Sequence, residues 1–331
     1  MISNRKIDNI GDLLKRESDL AKGDLGTLLE WRNGFSPILD YYYGKLKKLI
    51  PPGDLIVVAR RLKRIESIQI KLKRFKTMRL STLQDIAGVR AVLKDEEALD
   101  KAFSDLRGLS TINKLKRVDN YHSNPKDDGY RGVHLIYQNS SSSMVEIQLR
   151  TELEHIWSTA VEIYGELQDK SFKTGEEKWR EFFLLLSSYF AIKENCAPAK
   201  AHIKLSESKI RSLLKKIIKE LSVIEKLNAS TNGIKVTVSK FNESGKTGKY
   251  ALLELDYKNK TTTIEIFNKK DSSKAIEIYT QRELEMKKGD RKNIVFVNIE
   301  DLEKIQKSYP NYFLDTHKLL EILSKIVLGE F

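Results

Sequence analysis

The chain has 331 residues, 40% hydrophobic and 32% charged, with 59 Lys and Arg against 46 Asp and Glu, a formal charge of +13 and a pI near 9.4. That length suits two domains with separate cores; no apolar run reaches membrane-spanning length and the start MISNRKIDNIGDLLKRE lacks a signal-peptide core, so a cytoplasmic protein with no membrane partner is expected. One cysteine, Cys196, excludes an internal disulfide and a cysteine-based zinc cluster, while the cationic excess favours RNA over a free nucleotide, which needs only a local basic pocket.

In chain order, helical patterns cover 7–20 and 25–49, and Pro51, Pro52 and Gly53 break the run. The basic segment RRLKRIESIQIKLKR, residues 60–74, reads as a helix. At about 100° per residue, Arg60, Lys63, Arg64, Ser67, Lys71 and Arg74 share one sector, and Ile65, Ile68, Leu72 and Phe75 another. A solvated charged face is the ordinary reading of such a stripe. Here Glu66 is the only acid among many bases, and uncompensated positive charge calls for an anion.

The next apolar run, 87–93 in LQDIAGVRAVL, suits a buried strand with Asp85 at its mouth and Arg90 inside. Alone, Asp85 reads as a cap. A helix follows over 96–106. The loop YHSNPKDDGYRGVH then holds the turn formers Pro125, Asp128 and Gly129, which expose Lys126, Tyr130 and Arg131. Tyr130 can be a platform for a base, with Lys126 and Arg131 meeting phosphate oxygens, or it can simply pack at a strand edge.

Residues 131–138 and 143–150 alternate as two strands joined by a hairpin loop over 139–142. Val145, Ile147 and Leu149 point one way, and Glu146, Gln148 and Arg150 the other. His134 and Glu146 can therefore be neighbours, and Asp85 with Glu146 could share a magnesium ion. Helices follow over 151–167 and 176–194, then a basic helical connector over 205–227. NASTNG marks a boundary. Beyond it strands are expected over 234–239, 250–257, 261–267 and 293–297, with helices over 275–285, 299–308 and 315–328.

RLKRIESIQIKLKR, LQDIAGVRAVL, NPKDDGYRGVHL and VEIQLRTELEHIW occur in the order and approximate spacing of the synthetase domain of RelA/SpoT homologues, which the chain resembles over roughly residues 25–195. No histidine–aspartate motif of that family's hydrolase domain is present. The resemblance implies an α+β fold: a nucleotidyltransferase-like mixed sheet with flanking helices, plus a smaller α+β C-terminal regulatory domain. It also implies ATP as pyrophosphate donor and Mg2+ as cofactor. It assigns ATP binding to Arg61, Lys63, Ser67, Lys71, Arg74 and Arg90, and the metal to Asp85 and Glu146. Tyr130 would stack on the acceptor base, with Lys126, Arg131, His134, Gln148 and His155 beside it. Asp85, Glu146 and Tyr130 form the catalytic set. Small alarmone synthetases place a glutamate six residues past the position of His155; here that position is Val161, with Glu162 next.

WSTAVEIYGEL, the segment EKWREFFLLLSSYFAIKE and YPNYF near the end look like the toxic small synthetases, and among them the fused toxin–antitoxin proteins of the CapRel type. That resemblance implies a toxin domain over 1–195, a basic helical connector over 196–232, and an antitoxin and sensor domain over 233–331 resembling a zinc finger without metal ligands. It implies transfer of pyrophosphate to the 3′ hydroxyl of tRNA at its CCA end, inhibition of translation, and release of autoinhibition by a phage protein such as a capsid protein. No DNA partner is expected. Tyr309 and Tyr312 would be the regulatory residues, their rings lying on the cationic stripe. Synthesis of (p)ppGpp from GDP or GTP, and a non-catalytic RNA- or partner-binding role, are the alternatives.

Overall fold

The computed structural model describes residues 2–16, 20–109, 113–167, 176–231, 233–240, 250–286, 290–298 and 302–331. Strands β1 (Leu55–Leu62), β2 (Ala87–Leu93), β3 (Lys114–Asn120), β4 (Val133–Gln138) and β5 (Met144–Thr151) form a sheet in the order β1-β2-β5-β4-β3. Every pairing is antiparallel except β2 with β5. The expected mixed sheet with flanking helices is therefore present.

Two of these strands differ from the expectation. The basic segment 60–74 is not one helix: β1 carries Arg60 and Arg61, the chain turns at Lys63, and α4 spans Ile65–Arg74. The physical reason lies just upstream, where Ile56, Val57 and Val58 favour extended backbone. Val57 and Ala59 bury inward, and the whole stretch pairs with β2. The helical spacing of the cations could not reveal a ladder formed with residues thirty positions away. Strand β3, polar along the free edge, was also not expected.

Helices α1 (Asn4–Lys15), α2 (Lys22–Asn33), α3 (Ser36–Leu49) and α5 (Glu96–Arg107) complete the first core with one face of the sheet. The single helix expected over 25–49 breaks at Gly34 and Phe35, because Pro37 in the first turn of α3 has no N–H to continue α2. Next come α6 (Glu152–Leu167), α7 (Glu177–Lys193), α8 (Glu207–Leu221) and α9 (Val223–Thr231). Ser222, with φ of 50°, divides the expected connector helix.

The C-terminal part has β6 (Lys235–Lys240), β7 (Tyr250–Asp256), β8 (Thr261–Phe267) and β9 (Lys292–Asn298), ordered β6-β8-β7-β9. Helices α10 (Ser272–Glu285) and α11 (Leu302–Ser308), a 3-10 turn over Pro310–Phe313, and α12 (His317–Leu328) complete it. Helix α12 buries Leu319, Ile322, Leu323 and Ile326 against the α6–α9 layer. The seam is also continuous, since Ala59 and Ile163 share a core with Leu253, Val295, Tyr309 and Phe313.

Candidate active site

The site forms on the sheet face turned away from α3 and α5. Registration sets it: Arg90 lies opposite Gln148, Gln148 opposite His134, and Gly88 opposite Glu146. Because side chains alternate along each strand, Val145, Ile147 and Leu149 are sent into the core while Glu146 and Gln148 face the cleft.

One hydrogen-bonded chain runs from the Tyr130 loop across β4 and β5. Arg150 donates to the Tyr130 hydroxyl at 3.1 Å, and that hydroxyl is 2.6 Å from His134 Nε2. His134 Nδ1 is 2.9 Å from Glu146 Oε1, and Gln148 donates to Glu146 Oε2 at 2.6 Å. Burial alone would raise the Glu146 carboxyl, but the hydrogen bond and charge of His134, then the bond from Gln148 and the charge of Lys71, hold it at about 2. It is an anion at any physiological pH. Lys126 stands 4.2 Å from the Tyr121 ring centroid and 4.9 Å from that of Tyr130, and the Arg150 guanidinium lies 5.2 Å from the same Tyr130 ring. The aromatic platform is thus set among cations.

The other half of the site centres on Asp85. Lys63 and Lys71 both reach its Oδ2, at 2.9 and 2.8 Å, while its buried Oδ1 has no partner. Burial raises its carboxyl; the two lysines outweigh that and hold it below the usual range. Arg90 Nε is 3.4 Å from Gln148 Oε1. Burial, then the positive charges of Arg150 and Arg61, push the Arg90 guanidinium down from its ordinary value. A cation under that pressure is stabilised by an incoming polyphosphate. Asp85 Oδ1 and the ionised Glu146 are hard oxygen donors of the type magnesium takes, so the residues fit such an ion.

Arg61, Lys63, Asp85, Arg90, Glu146 and Gln148 line one cavity of about 100 Å³. Small-molecule sites usually offer roughly 300–1,000 Å³. The shortfall has a visible cause, because Tyr309 and Asn311 from the C-terminal segment form part of the wall. The Tyr309 hydroxyl donates to the Arg60 carbonyl at 2.8 Å, and Asn311 donates to Glu162 Oε1 at 3.0 Å. Glu162, which follows the departing Val161, is thus the acid that α6 presents to the cleft.

Other expected residues lie elsewhere. Ser67 is half-buried on α4, and Arg74 is exposed beside Phe75 at its end; neither lines the cavity. Arg131 is buried, donating to the carbonyls of His122, at 2.7 Å, and Ala197, so its guanidinium braces the loop. His155 is buried too; burial and then Arg90 and Arg150 keep it well below its usual pKa, hence neutral. Tyr312 turns into the seam, its hydroxyl donating to Asn293 Oδ1 at 2.5 Å. Neither Tyr309 nor Tyr312 stacks on an arginine among the described residues, which corrects that geometric expectation. Arg150 and Asn311 were not singled out. The alternation of β5 already placed Arg150 beside Gln148, whereas nothing local marks Asn311.

Residues 60–166 match a family profile described as the region found in RelA / SpoT proteins. An uncharacterized protein of Mycobacterium tuberculosis is 30% identical over 127 residues, 37% of this chain and 44% of that protein. A probable chloroplastic GTP diphosphokinase of Arabidopsis thaliana is 28% identical over 133 residues, 39% of this chain and 17% of its own length. These matches span less than half of each curated relative. Among solved structures, small alarmone synthetase 1 of Bacillus subtilis, bound to its product pppGpp, aligns with a TM-score of 0.45 at 21% identity, covering 50% of this chain and 93% of that one. No helix among the described residues is long and apolar enough to cross a membrane.

Proposed function

We propose that the protein is a RelA/SpoT-type pyrophosphokinase moving pyrophosphate from ATP to a ribose hydroxyl, a reading supported by the match of residues 60–166 to the region found in RelA / SpoT proteins. The observation that carries this is the meeting of two halves in one cleft: Asp85 with Lys63, Lys71 and Arg90, and the chain Arg150–Tyr130–His134–Glu146–Gln148. Lys63, Arg61 and Arg90 hold the triphosphate. Tyr130 and Lys126 receive the acceptor base and its phosphate. Glu146, fixed by two hydrogen bonds, is positioned to accept the proton of the attacking hydroxyl. Magnesium, when held by Asp85 and Glu146, neutralises charge on the transferred phosphates. Positioning and charge neutralisation do most of the work in such transfers.

The acceptor we favour is the 3′ end of tRNA. The +13 charge supports it, as do exposed Lys204, Lys209 and Lys219 on and before α8, which packs on α7 behind the Tyr130 loop. In this reading the chain is a translation-blocking toxin fused to its own antitoxin, and a phage protein such as a capsid protein releases it. Support for the cover comes from Tyr309 and Asn311, which narrow the ATP side. A guanosine nucleotide is the second reading, favoured by a relative's name, GTP diphosphokinase.

The test uses full-length protein carrying Tyr309→Ala, with labelled ATP and either deacylated tRNA or GDP and GTP. Label on tRNA supports the favoured acceptor; label only in guanosine products overturns it. An Asp85→Asn variant that transfers label at the parent rate sinks the enzymatic reading, and no gain from Tyr309→Ala sinks the cover. Truncation at Asn228 is a poor substitute, because it strips α12 from the core of α6–α9.

A further inference from the structure

Behind the acceptor loop, away from the cleft, three side chains of metal-binding type converge from distant parts of the chain. Glu96 opens α5, His122 lies in the loop after β3, and Cys196 follows α7; one ligand atom from each lies within 4.8 Å of the other two. His122 is 3% exposed, and its Nε2 is 3.3 Å from Cys196 Sγ. Its Nδ1 is 2.8 Å from Glu154 Oε1, while Glu154 Oε2 accepts from the Thr151 amide at 2.9 Å. A metal-ligating histidine typically has this support, one ring nitrogen held by a carboxylate and the other turned to the ion. With zinc–nitrogen and zinc–sulfur bonds of about 2.0 and 2.3 Å at a tetrahedral angle, nitrogen and sulfur sit roughly 3.5 Å apart. The His122–Cys196 spacing already approaches that.

We propose that Glu96, His122 and Cys196 bind one divalent ion of zinc type, with Glu154 orienting His122 and water in the fourth position. Thiolate, imidazole and carboxylate together select a borderline ion over magnesium, which prefers oxygen alone. A single cysteine rules out a multi-cysteine cluster but not a mixed site. Glu96 and Cys196 are partly exposed, so an ion has a way in, and coordination releases both the Cys196 thiol proton and the His122 Nε2 proton to solvent, while Nδ1–H stays on Glu154. The ion would tie the loop bearing Tyr121, Lys126 and Tyr130 to α5 and to the segment after α7, where Arg131 already joins His122 and Ala197.

The test is titration of full-length protein with Co(II), in an Asp85→Asn background so that the cleft carboxylates do not compete. A sulfur-to-cobalt charge-transfer band can come only from Cys196, the chain's one cysteine. The expected result is one equivalent of cobalt giving that band with tetrahedral d–d absorption, displaced by Zn(II). Cys196→Ser should abolish the band at unchanged circular dichroism, and Glu154→Gln should weaken binding about 10- to 100-fold. No band at stoichiometric cobalt overturns the proposal. So does a metal equivalent that both Cys196→Ser and Glu96→Gln retain at parental affinity.

Discussion

Replacing Glu283 by alanine should open the cleft. Glu283, on α10, meets Arg32 of α2 across the seam: Arg32 Nη1 is 3.0 and 2.8 Å from its two oxygens, and the side chains are 1% and 4% exposed. The same carboxylate accepts from the Ile65 amide at 2.7 Å, at the start of α4. Removing Glu283 leaves a guanidinium buried with its Nε already unpartnered. Breaking one side of a buried pair costs about 3–5 kcal/mol. On the proposed cover mechanism that cost falls on the closed form alone, since Arg32 would regain water once the C-terminal segment lifted. At about 1.4 kcal/mol per decade, closure weakens between roughly 100-fold and a few thousand-fold.

The assay is binding of a fluorescent ATP analogue, alongside label transfer and circular dichroism. Glu283→Ala should bind ATP more tightly and transfer faster. The double variant Arg32→Ala/Glu283→Ala should stay within about tenfold of the parent, because deleting both partners leaves no orphaned charge. Loss of the amide acceptor at Ile65, about 1 kcal/mol, is common to both variants, so their difference isolates the charge. If single and double variants behave alike, or if neither changes ATP affinity, the buried pair does not hold the cover closed and the reasoning fails.

Glu146, held at about 2 against an ordinary 4.5, lends stability that is complete above about pH 5 and is lost as pH falls toward 2. The parent should be more stable than Glu146→Gln by ~3 kcal/mol near neutrality, with the gap closing only below about pH 4.5 in thermal melts; a gap that vanishes between pH 5 and 6 would contradict the assignment. Arg131→Ala should lower the melting temperature by stranding the carbonyls of His122 and Ala197, each worth about 1–3 kcal/mol. Tyr130→Ala should instead weaken acceptor binding by roughly 1–3 kcal/mol, read as a raised acceptor KM with little change in the melt. Tyr309→Phe loses one hydrogen bond to the Arg60 carbonyl, about 1 kcal/mol, and should raise ATP affinity about fivefold in the same fluorescence titration.

What the sequence disclosed depended on whether a feature is local. Strand alternation placed Glu146 and Gln148 on one face and set His134 within reach, because period-two geometry needs no knowledge of the rest of the fold. The strand with Asp85 at its mouth was readable from a different local signal, the continuous apolar run over 87–93. Strand β1 was hidden because its partner is β2, and the spacing of its arginines mimics a helix that begins only at Ile65. Arg131 looked like a phosphate ligand because composition cannot tell an exposed cation from one bonded to two carbonyls. The link from Asn311 to Glu162 joins residues 149 positions apart, and only the assembled seam brings them together.

Helix α12 constrains how such a cover can be released. Its four buried apolar side chains sit among α6–α9, and Tyr189 donates to the carbonyl of Phe331 at 2.8 Å. Burying an aliphatic side chain is worth roughly 1.5–3 kcal/mol, so this anchor far exceeds the single hydrogen bonds that Tyr309 and Asn311 make. The covering segment is therefore tethered at both ends, through β6 at one side and α12 at the other. A ligand need not detach the region 233–331. It need only bind the C-terminal sheet or α10 better when Glu283 has left Arg32, and the residues from Tyr309 to Asn311 then withdraw while α12 stays in place. Tethering also keeps the effective concentration of the cover high, so that it closes again once the ligand is gone.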